Sequence, residues 1–280
     1  MKFEESKYIG YDGTRMYMAN WLPDDMNPRA LLVVAHGLGS HGGDFASMGE
    51  YLAERGIAVF APDLRGFGHY SGRKGHVIRF DEYIEDMDNL VMQVKDRFLN
   101  KLTYVFGSSF GGVVVIRYVT RYPNVVDGLM LQVPGVSPTL GVGKAEYAMG
   151  RLLSLLNVKR YVDNKVDFSK TTRSPEVAKK HENDPLRFQM VTPRFGIEGL
   201  KAAKEAFLSA GLIHMPVLLQ QAGEDMMVDP DRIREFYDNL ASTDKTWILY
   251  DELYHELHEE PEKERVLGDM MQWLEKRLPS

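Results

Sequence analysis

The 280-residue chain predicts an α/β protein, and three observations carry that prediction. Short β-type runs alternate with amphipathic helical runs through most of the sequence, as strands joined by crossover helices require. The runs Ala30-Leu31-Leu32-Val33-Val34-Ala35 and Ile57-Ala58-Val59-Phe60-Ala61 are continuously apolar, as strands covered on both faces must be. The alternation breaks over residues 135–212 and resumes at MPVLLQQAGED, which reads as an excursion from one sheet and a return to it. Length and pattern together predict one large domain with a core of residues 1–134 and 213–280. Residues 135–212 form a helical cap over the C-terminal ends of the strands, where open parallel sheets bind ligands.

Taken in order, YIGYDGTRMYMANWLP predicts a hairpin closed around Asp12-Gly13 that adds antiparallel strands to the sheet's edge. The two apolar strands follow, at 30–35 and 57–61. In FDEYIEDMDNLVMQVKDRF, Tyr83, Met87, Leu90, Val91, Val94 and Phe98 fall at helical spacing, so one face of that helix is packed. Further strands are expected at 103–107, 128–133, 216–221 and 246–250. Within the insertion, AEYAMGRLLSLL and GLKAAKEAFL read as helices on either side of the polar stretch VDNKVDFSKTTRSPE.

Composition narrows the class. With 44% hydrophobic and 26% charged residues the chain has the make-up of an ordinary soluble globular protein. A net charge of -6 and the absence of a long basic run remove the electrostatic footprint that nucleic acid demands. Cysteine is absent, which excludes disulfides, thiolate metal sites and a cysteine nucleophile. MKFEESKYIGYDG carries acidic residues where a signal peptide needs an apolar core, and no run approaches the ~18 apolar residues of a membrane span. A cytoplasmic location is the expectation.

The chemistry begins at TYVFGSSFGGVVVIRYV. Gly107-Ser108-Ser109-Phe110-Gly111 fits G-x-S-x-G between a strand and a helix, with Ser109 in the middle. In such a nucleophile elbow the serine occupies a strained backbone conformation, and the positions two before and two after lie too close to neighbours for side chains. Ser108 holds a tolerant position. The pattern alone also occurs as an ordinary glycine-rich turn, so it needs a base and an acid in the right chain order.

Both follow later strands. PVLLQQAG runs into Glu224-Asp225-Met226-Met227-Val228-Asp229-Pro230. Asp225 lies nearest the strand end, Asp229 before Pro230 suits a helix cap, and Glu224 is the less favoured substitute. TWILYDE runs into Tyr254-His255-Glu256-Leu257-His258, where His255 is nearer the strand end and His258 stands at the start or on the face of the last helix. A hydroxyl is a poor nucleophile at neutral pH, so a histidine must take its proton and a carboxylate must hold the imidazole tautomer. After the strand LLVVA, His36-Gly37-Leu38-Gly39-Ser40-His41-Gly42-Gly43 stands where one oxyanion amide is supplied. The backbone N–H groups of Leu38 and Phe110 are the candidates. His36 and His41 read as loop stabilisers, and no carboxylate at ligand spacing makes them a metal site.

With these residues in place, the sequence resembles the monoacylglycerol lipase and lysophospholipase branch of the serine α/β hydrolases. The resemblance rests on HGLGSH, APDLRGFGHYSGRKGH with its FDEYIEDM helix, GSSFGG, NDPL at 183–186, AGEDMMVDP and YHELHEE, from about residue 36 to 260. It implies an α/β-hydrolase fold with an eight-stranded, mostly parallel sheet and a helical cap. It also implies a triad of Ser109, Asp225 and His255, with the first histidine of HxLH as the base. Relatives commonly have GHSMGG, so Ser108 and Phe110 replace a histidine and a methionine.

The expected reaction is carboxylic ester hydrolysis through an acyl-enzyme on Ser109, on a small-molecule acyl ester and without a cofactor. Val142, Ala145, Met149, Leu152, Leu153 and Leu156 form a stripe at helical spacing that packs the cap. Met149 and Leu152, together with Met226 and Met227 beside the acid, are the candidate acyl contacts. NVKRYVDNKV is basic enough for transient contact between the cap and a membrane surface, although a solvated face accounts for it too. Two rival readings stay open. A proline-releasing aminopeptidase would need an acidic pocket from residues such as Glu146, Asp163 and Asp167, and a catalytically silent ligand receptor would share the fold. Dehalogenases and epoxide hydrolases of this fold use aspartate at the elbow, so Ser109 argues against them.

Overall fold

In the computed structural model, which describes residues 1–136, 143–164 and 166–279, the N-terminal arms pair antiparallel as β1 (Lys2–Ile9) and β2 (Arg15–Leu22). Gly13 turns the hairpin with φ +82°, a left-handed conformation open to glycine. Next come β3 (Ala30–Ala35), α1 (Ala46–Ala53), β4 (Ile57–Pro62), α2 (Asp81–Arg97), β5 (Leu102–Ser108), α3 (Phe110–Arg121) and β6 (Gly128–Gln132). The chain then leaves the sheet for α4 (Lys144–Leu155), β7 (Val162–Asp163), α5 (Pro175–Glu182), β8 (Met190–Val191) and α6 (Pro193–Leu208). It returns as β9 (Val217–Ala222), α7 (Pro230–Asp238), β10 (Lys245–Tyr250) and α8 (Lys263–Glu275).

The main sheet has 8 strands in the order β1-β2-β4-β3-β5-β6-β9-β10. Pairing is parallel from β4 to β10, and the hairpin joins antiparallel through β2 and β4. Leu31, Val33 and Ala35 of β3 enter the core formed with α2 and α3, while Ala30, Leu32 and Val34 enter the opposite one with Phe45, Met48 and Trp273. Burial on both faces is why these strands read as unbroken apolar runs. On α2, Tyr83, Met87, Leu90, Val91 and Val94 are buried, and acidic residues in its first turn and basic ones in its last complement the helix dipole.

The inserted segment departs from its sequence reading in three places. β7 and β8 pair antiparallel through Val162 with Val191 and Asp163 with Met190, two residues each, too short to leave a periodic signal. α5 rises from the polar stretch because Ser174 accepts the Val177 amide and Pro175 opens the helix, a start signal the apolar pattern does not carry. The stripe on α4 does not pack the insertion against the body. Among its helical residues only Ser154 is buried, whereas Met149 is 56% and Leu152 50% exposed. Val142 lies outside the described residues. α4 rests on α6 instead, where Arg194 donates to the Ser154 carbonyl at 2.9 Å. Among the described residues no helix is long and apolar enough to cross a membrane.

The motif APDLRGFGH serves the fold. Arg65, with its side chain 4% exposed, donates to Asp86 at 2.8 and 2.9 Å and to Asp12 at 2.9 and 3.0 Å. Its carbonyl accepts from the Tyr83 hydroxyl at 2.8 Å. One guanidinium thereby ties the hairpin turn, the loop after β4 and α2 together, and it holds the Asp12 carboxyl well below the usual range.

Candidate active site

β5 ends at Ser108 and α3 begins at Phe110, leaving Ser109 alone on the turn with φ 51° and ψ -117°. A non-glycine residue there stores about 1–3 kcal/mol of strain and keeps its place only if its surroundings hold it. They do: the Ser109 N–H donates to the Gln132 carbonyl at 3.1 Å, and its carbonyl accepts from Gly112 and Gly135 at 2.9 Å each. The flanking glycines have a steric cause. A Cβ on Gly107 would strike the Gly111 carbonyl oxygen, and one on Gly111 would strike that of Ala35.

β9 and β10 lead into the loops that carry Asp225 and His255, the candidate acid and base. The Asp225 side chain is fully buried; its Oδ1 accepts from the Met227 amide at 2.8 Å and the Val228 amide at 3.0 Å. His255 Nδ1 lies 2.8 Å from Oδ2 and 3.0 Å from Oδ1. A carboxylate can only accept, so Nδ1 donates and Nε2 is left as the basic nitrogen. Asp229 caps α7 through the Asp231 amide. His258 neither starts nor faces the last helix; it sits buried in a short turn, residues 257–259, before α8.

Ser109 and His255 line one cavity of about 360 Å³, together with Leu38 and Phe110. Its lining combines apolar residues, among them Phe110, Val113, Phe195, Leu200, Ala203 and Val228, with polar ones, among them Ser40, Asn164, Thr171, Arg187, Glu256 and His258. The Phe110 ring packs 5.4 Å from both Tyr83 and Phe195 and 5.7 Å from Phe80, so the residue after the serine joins an aromatic wall. Of the four candidate acyl contacts, Met227 lines the cavity. Met149, Leu152 and Met226 do not: they are exposed residues outside its described lining, the first two because α4 turns its apolar side outward and Met226 on the loop after β9.

The polar part of the lining was not readable in the sequence. Arg187, just after NDPL, reaches Asp44 at 2.9 Å and Glu256 at 3.5 Å, and His41 Nε2 lies 3.0 Å from Asp184. The Phe188 amide donates to the Gly39 carbonyl at 2.9 Å. These contacts clamp the insertion onto the loop that carries Leu38. Burial pushes Glu256 upward and opposes ionisation of Asp44 too, but Arg187, His41 and Ser40 outweigh it and hold Asp44 low.

The expectation that no carboxylate stands at ligand spacing is corrected by Asp44, three residues after His41, which with Asp184 from the insertion converges on that ring. Its Nδ1 accepts from the Gly43 amide at 3.1 Å, so in the neutral ring Nε2 carries the proton and gives it to Asp184. That usage describes a loop clamp rather than a metal cradle. His36 is likewise a loop tie: Nε2 accepts from the Leu64 amide at 2.9 Å, Nδ1 meets the Gly37 carbonyl at 2.7 Å, and burial pushes its pKa down to about 4.

A mostly parallel sheet with a serine elbow after β5, and with acid and histidine following later strands, defines a serine hydrolase of the α/β-hydrolase fold; the chain is a carboxylic ester hydrolase. It belongs to the Hydrolase_4 family, described as serine aminopeptidase, S33, whose model matches residues 26–262. A monoacylglycerol lipase of Mycolicibacterium smegmatis is 29% identical over 275 residues, covering 98% of each chain. Phospholipase YtpA of Bacillus subtilis is 30% identical over 251 residues, covering 89% of this chain and 95% of its own. Among solved structures, a Paleococcus ferrophilus monoacylglycerol lipase superposes with TM-score 0.82 at 25% identity over 98% of both chains. A soluble variant of the Saccharomyces cerevisiae monoglyceride lipase, in complex with a substrate analogue, does so with TM-score 0.87 at 19% identity, over 100% of this chain and 97% of its own, a likeness of fold.

Proposed function

We propose that Ser109, His255 and Asp225 hydrolyse the ester bond of a monoacylglycerol, with residues 135–212 acting as a cap over the site. The observation that carries this reading is the Asp225–His255 pair at 2.8 Å, whose histidine lines the same cavity as Ser109. His255 Nε2 takes the Ser109 proton as Oγ attacks the ester carbonyl, and the Leu38 and Phe110 amides hold the tetrahedral oxyanion. Collapse expels the alcohol, which receives the proton from His255, and leaves the acyl group on Ser109. Water activated by the same imidazole then attacks, releasing the fatty acid and restoring Ser109.

The mixed apolar and polar lining supports the substrate class. The acyl chain fits against Phe110, Val113, Phe195 and Leu200. The polar lining residues present donors and acceptors together, and Asp44 and Glu256 already surround the Arg187 guanidinium, which favours a neutral polyol over a phosphodiester. A lysophospholipid is the second reading, since one relative is named a phospholipase.

The three acidic residues offered for the aminopeptidase reading do not support it. Glu146 closes the first turn of α4, Asp167 caps the turn at 168–170, and Asp163 lies on β7, so none belongs to the cavity's described lining. The exposed Tyr147, Met149, Leu152, Leu155 and Leu156 of α4 and its C-cap give the cap a surface for transient membrane contact.

Turnover of monoacylglycerols, lysophospholipids, p-nitrophenyl butyrate and a proline anilide tests the reading, with fluorophosphonate labelling of native protein and Ser109→Ala. Monoacylglycerol should be preferred and labelling lost in the variant. Cleavage of the anilide alone, or labelling that survives Ser109→Ala, would overturn it.

A further inference from the structure

Two glutamines lie side by side in the sheet interior, where most side chains are apolar. Gln132 ends β6 and Gln220 sits opposite it on β9; both are completely buried. A buried amide is strongly unfavourable unless bonded, and these two belong to one hydrogen-bonded chain whose direction is fixed from its far end. The Val266 carbonyl can only accept, so the Gln220 atom 2.9 Å from it is the amide nitrogen. That nitrogen's other hydrogen goes to the Tyr250 oxygen at 2.8 Å, and the Tyr250 hydroxyl donates to the Asp269 carboxylate at 2.9 Å.

Gln220 Oε1 therefore faces Gln132 and accepts from its Nε2 at 2.8 Å. Gln132 Oε1 is left 3.2 Å from His258 Nδ1, and only a protonated Nδ1 can bond to it. A backbone carbonyl on α8 thus sets the tautomer of a histidine on the cavity wall. Phe45 stacks on one face of the His258 ring, with centroids 4.5 Å apart and planes at 15°. His258 lines the cavity, and with that face covered and Nδ1 taken, its other face and its Nε2 edge are what the ring has left to offer. Burial pushes the His258 pKa down to about 3, so the ring is neutral at ordinary pH and Nε2 carries a lone pair.

We propose that the chain Asp269–Tyr250–Gln220–Gln132 is a positioning device that holds His258 as a hydrogen-bond acceptor, and that His258 thereby selects esters whose alcohol portion bears a free hydroxyl. The second half of this inference rests on the ester-hydrolase reading above. Gln132, Gln220 and Tyr250 touch no substrate; they act through His258. An alcohol O–H donates to Nε2, whereas an ester with a bare alkyl alcohol leaves that nitrogen without a partner in the filled site.

Two measurements decide it. In native protein labelled with 15N-histidine, two-bond proton–nitrogen correlation, assigned by the signal missing in His258→Phe, should show the Nδ1–H form; an Nε2–H form overturns the inference. Next, kcat/KM is compared for a monoacylglycerol and the ethyl ester of the same fatty acid. In Gln132→Met the ratio of the two should fall roughly tenfold, the worth of about one hydrogen bond. His258→Phe, which removes the acceptor itself, should lower the ratio at least as much and serves where Gln132→Met does not fold. An equal fall on both esters, or an unchanged ratio, overturns the inference and leaves ester hydrolysis standing. Native protein that cleaves neither ester overturns both.

Discussion

Replacing Asp225 by Asn keeps the shape of the acid and removes its charge, and the structure dictates how the amide must sit. Oδ1 receives the Met227 and Val228 amides at 2.8 and 3.0 Å, so the asparagine must place its oxygen there or set its NH2 against two donors. The NH2 then occupies the Oδ2 position, 2.8 Å from His255 Nδ1. The oxygen at the Oδ1 position is farther from Nδ1, at 3.0 Å, and already accepts two amides. The nearer NH2 therefore faces Nδ1 as a second donor and turns His255 to the tautomer with the proton on Nε2, the nitrogen that must accept the Ser109 proton. An error of this kind lowers kcat about 10⁴-fold, equivalent to roughly 5.5 kcal/mol at 1.36 kcal/mol per decade. KM should barely move, because Asp225 lies behind His255 and outside the described cavity lining. The assay is p-nitrophenyl butyrate hydrolysis, with the melting temperature as control. A loss under about tenfold in a folded variant would refute the argument; Glu224→Gln would then be the variant to examine.

Gly111→Ala should abolish the elbow, since its new Cβ meets the Ala35 carbonyl and the backbone cannot yield; a soluble variant with native fluorophosphonate labelling would contradict this. Arg65→Met leaves Asp86, with its side chain 4% exposed, without its main counter-charge, and should cost about 3–5 kcal/mol by urea denaturation. Stability should also fall as pH drops from the ordinary histidine value of 6.5 toward 4. His36 is held down to about 4 and His181 to about 3, both chiefly by burial, so the unfolded chain binds protons there that the folded one refuses. At 1.36 kcal/mol per unit, His36 alone contributes on the order of 3 kcal/mol of that loss. Denaturation of native protein and His181→Leu at about pH 7 and about pH 4.5 should show a shallower fall in the variant, and equal falls would exclude His181 as a source.

The parts of the molecule that were readable in advance share a local cause. β3 and β4 announced themselves because burial on both faces demands side chains that are all apolar, and α2 because burial on one face demands a period of 3.6. The elbow was legible because its glycines stand two residues to either side of Ser109, although the carbonyl that crowds Gly111 is that of Ala35 on β3. Asp225 and His255 could be singled out as strand-end residues. α4 misled for a physical reason: periodicity records that a helix has an apolar side, not what that side meets, and here it meets solvent.

What the sequence by itself determined, then, was the α/β fold and the order of nucleophile, acid and histidine, since each depends on neighbours in the chain. Tertiary structure alone decided the polar lining of the cavity. Arg187 between Asp44 and Glu256, and Gln132 and Gln220 aligning His258, join residues distant in sequence, whose partners exist only once β6, β9, α8 and the inserted segment have packed. Hydrogen bonds and charges between remote segments leave no period in a sequence. Their geometry is set by how strands and loops come to rest against one another.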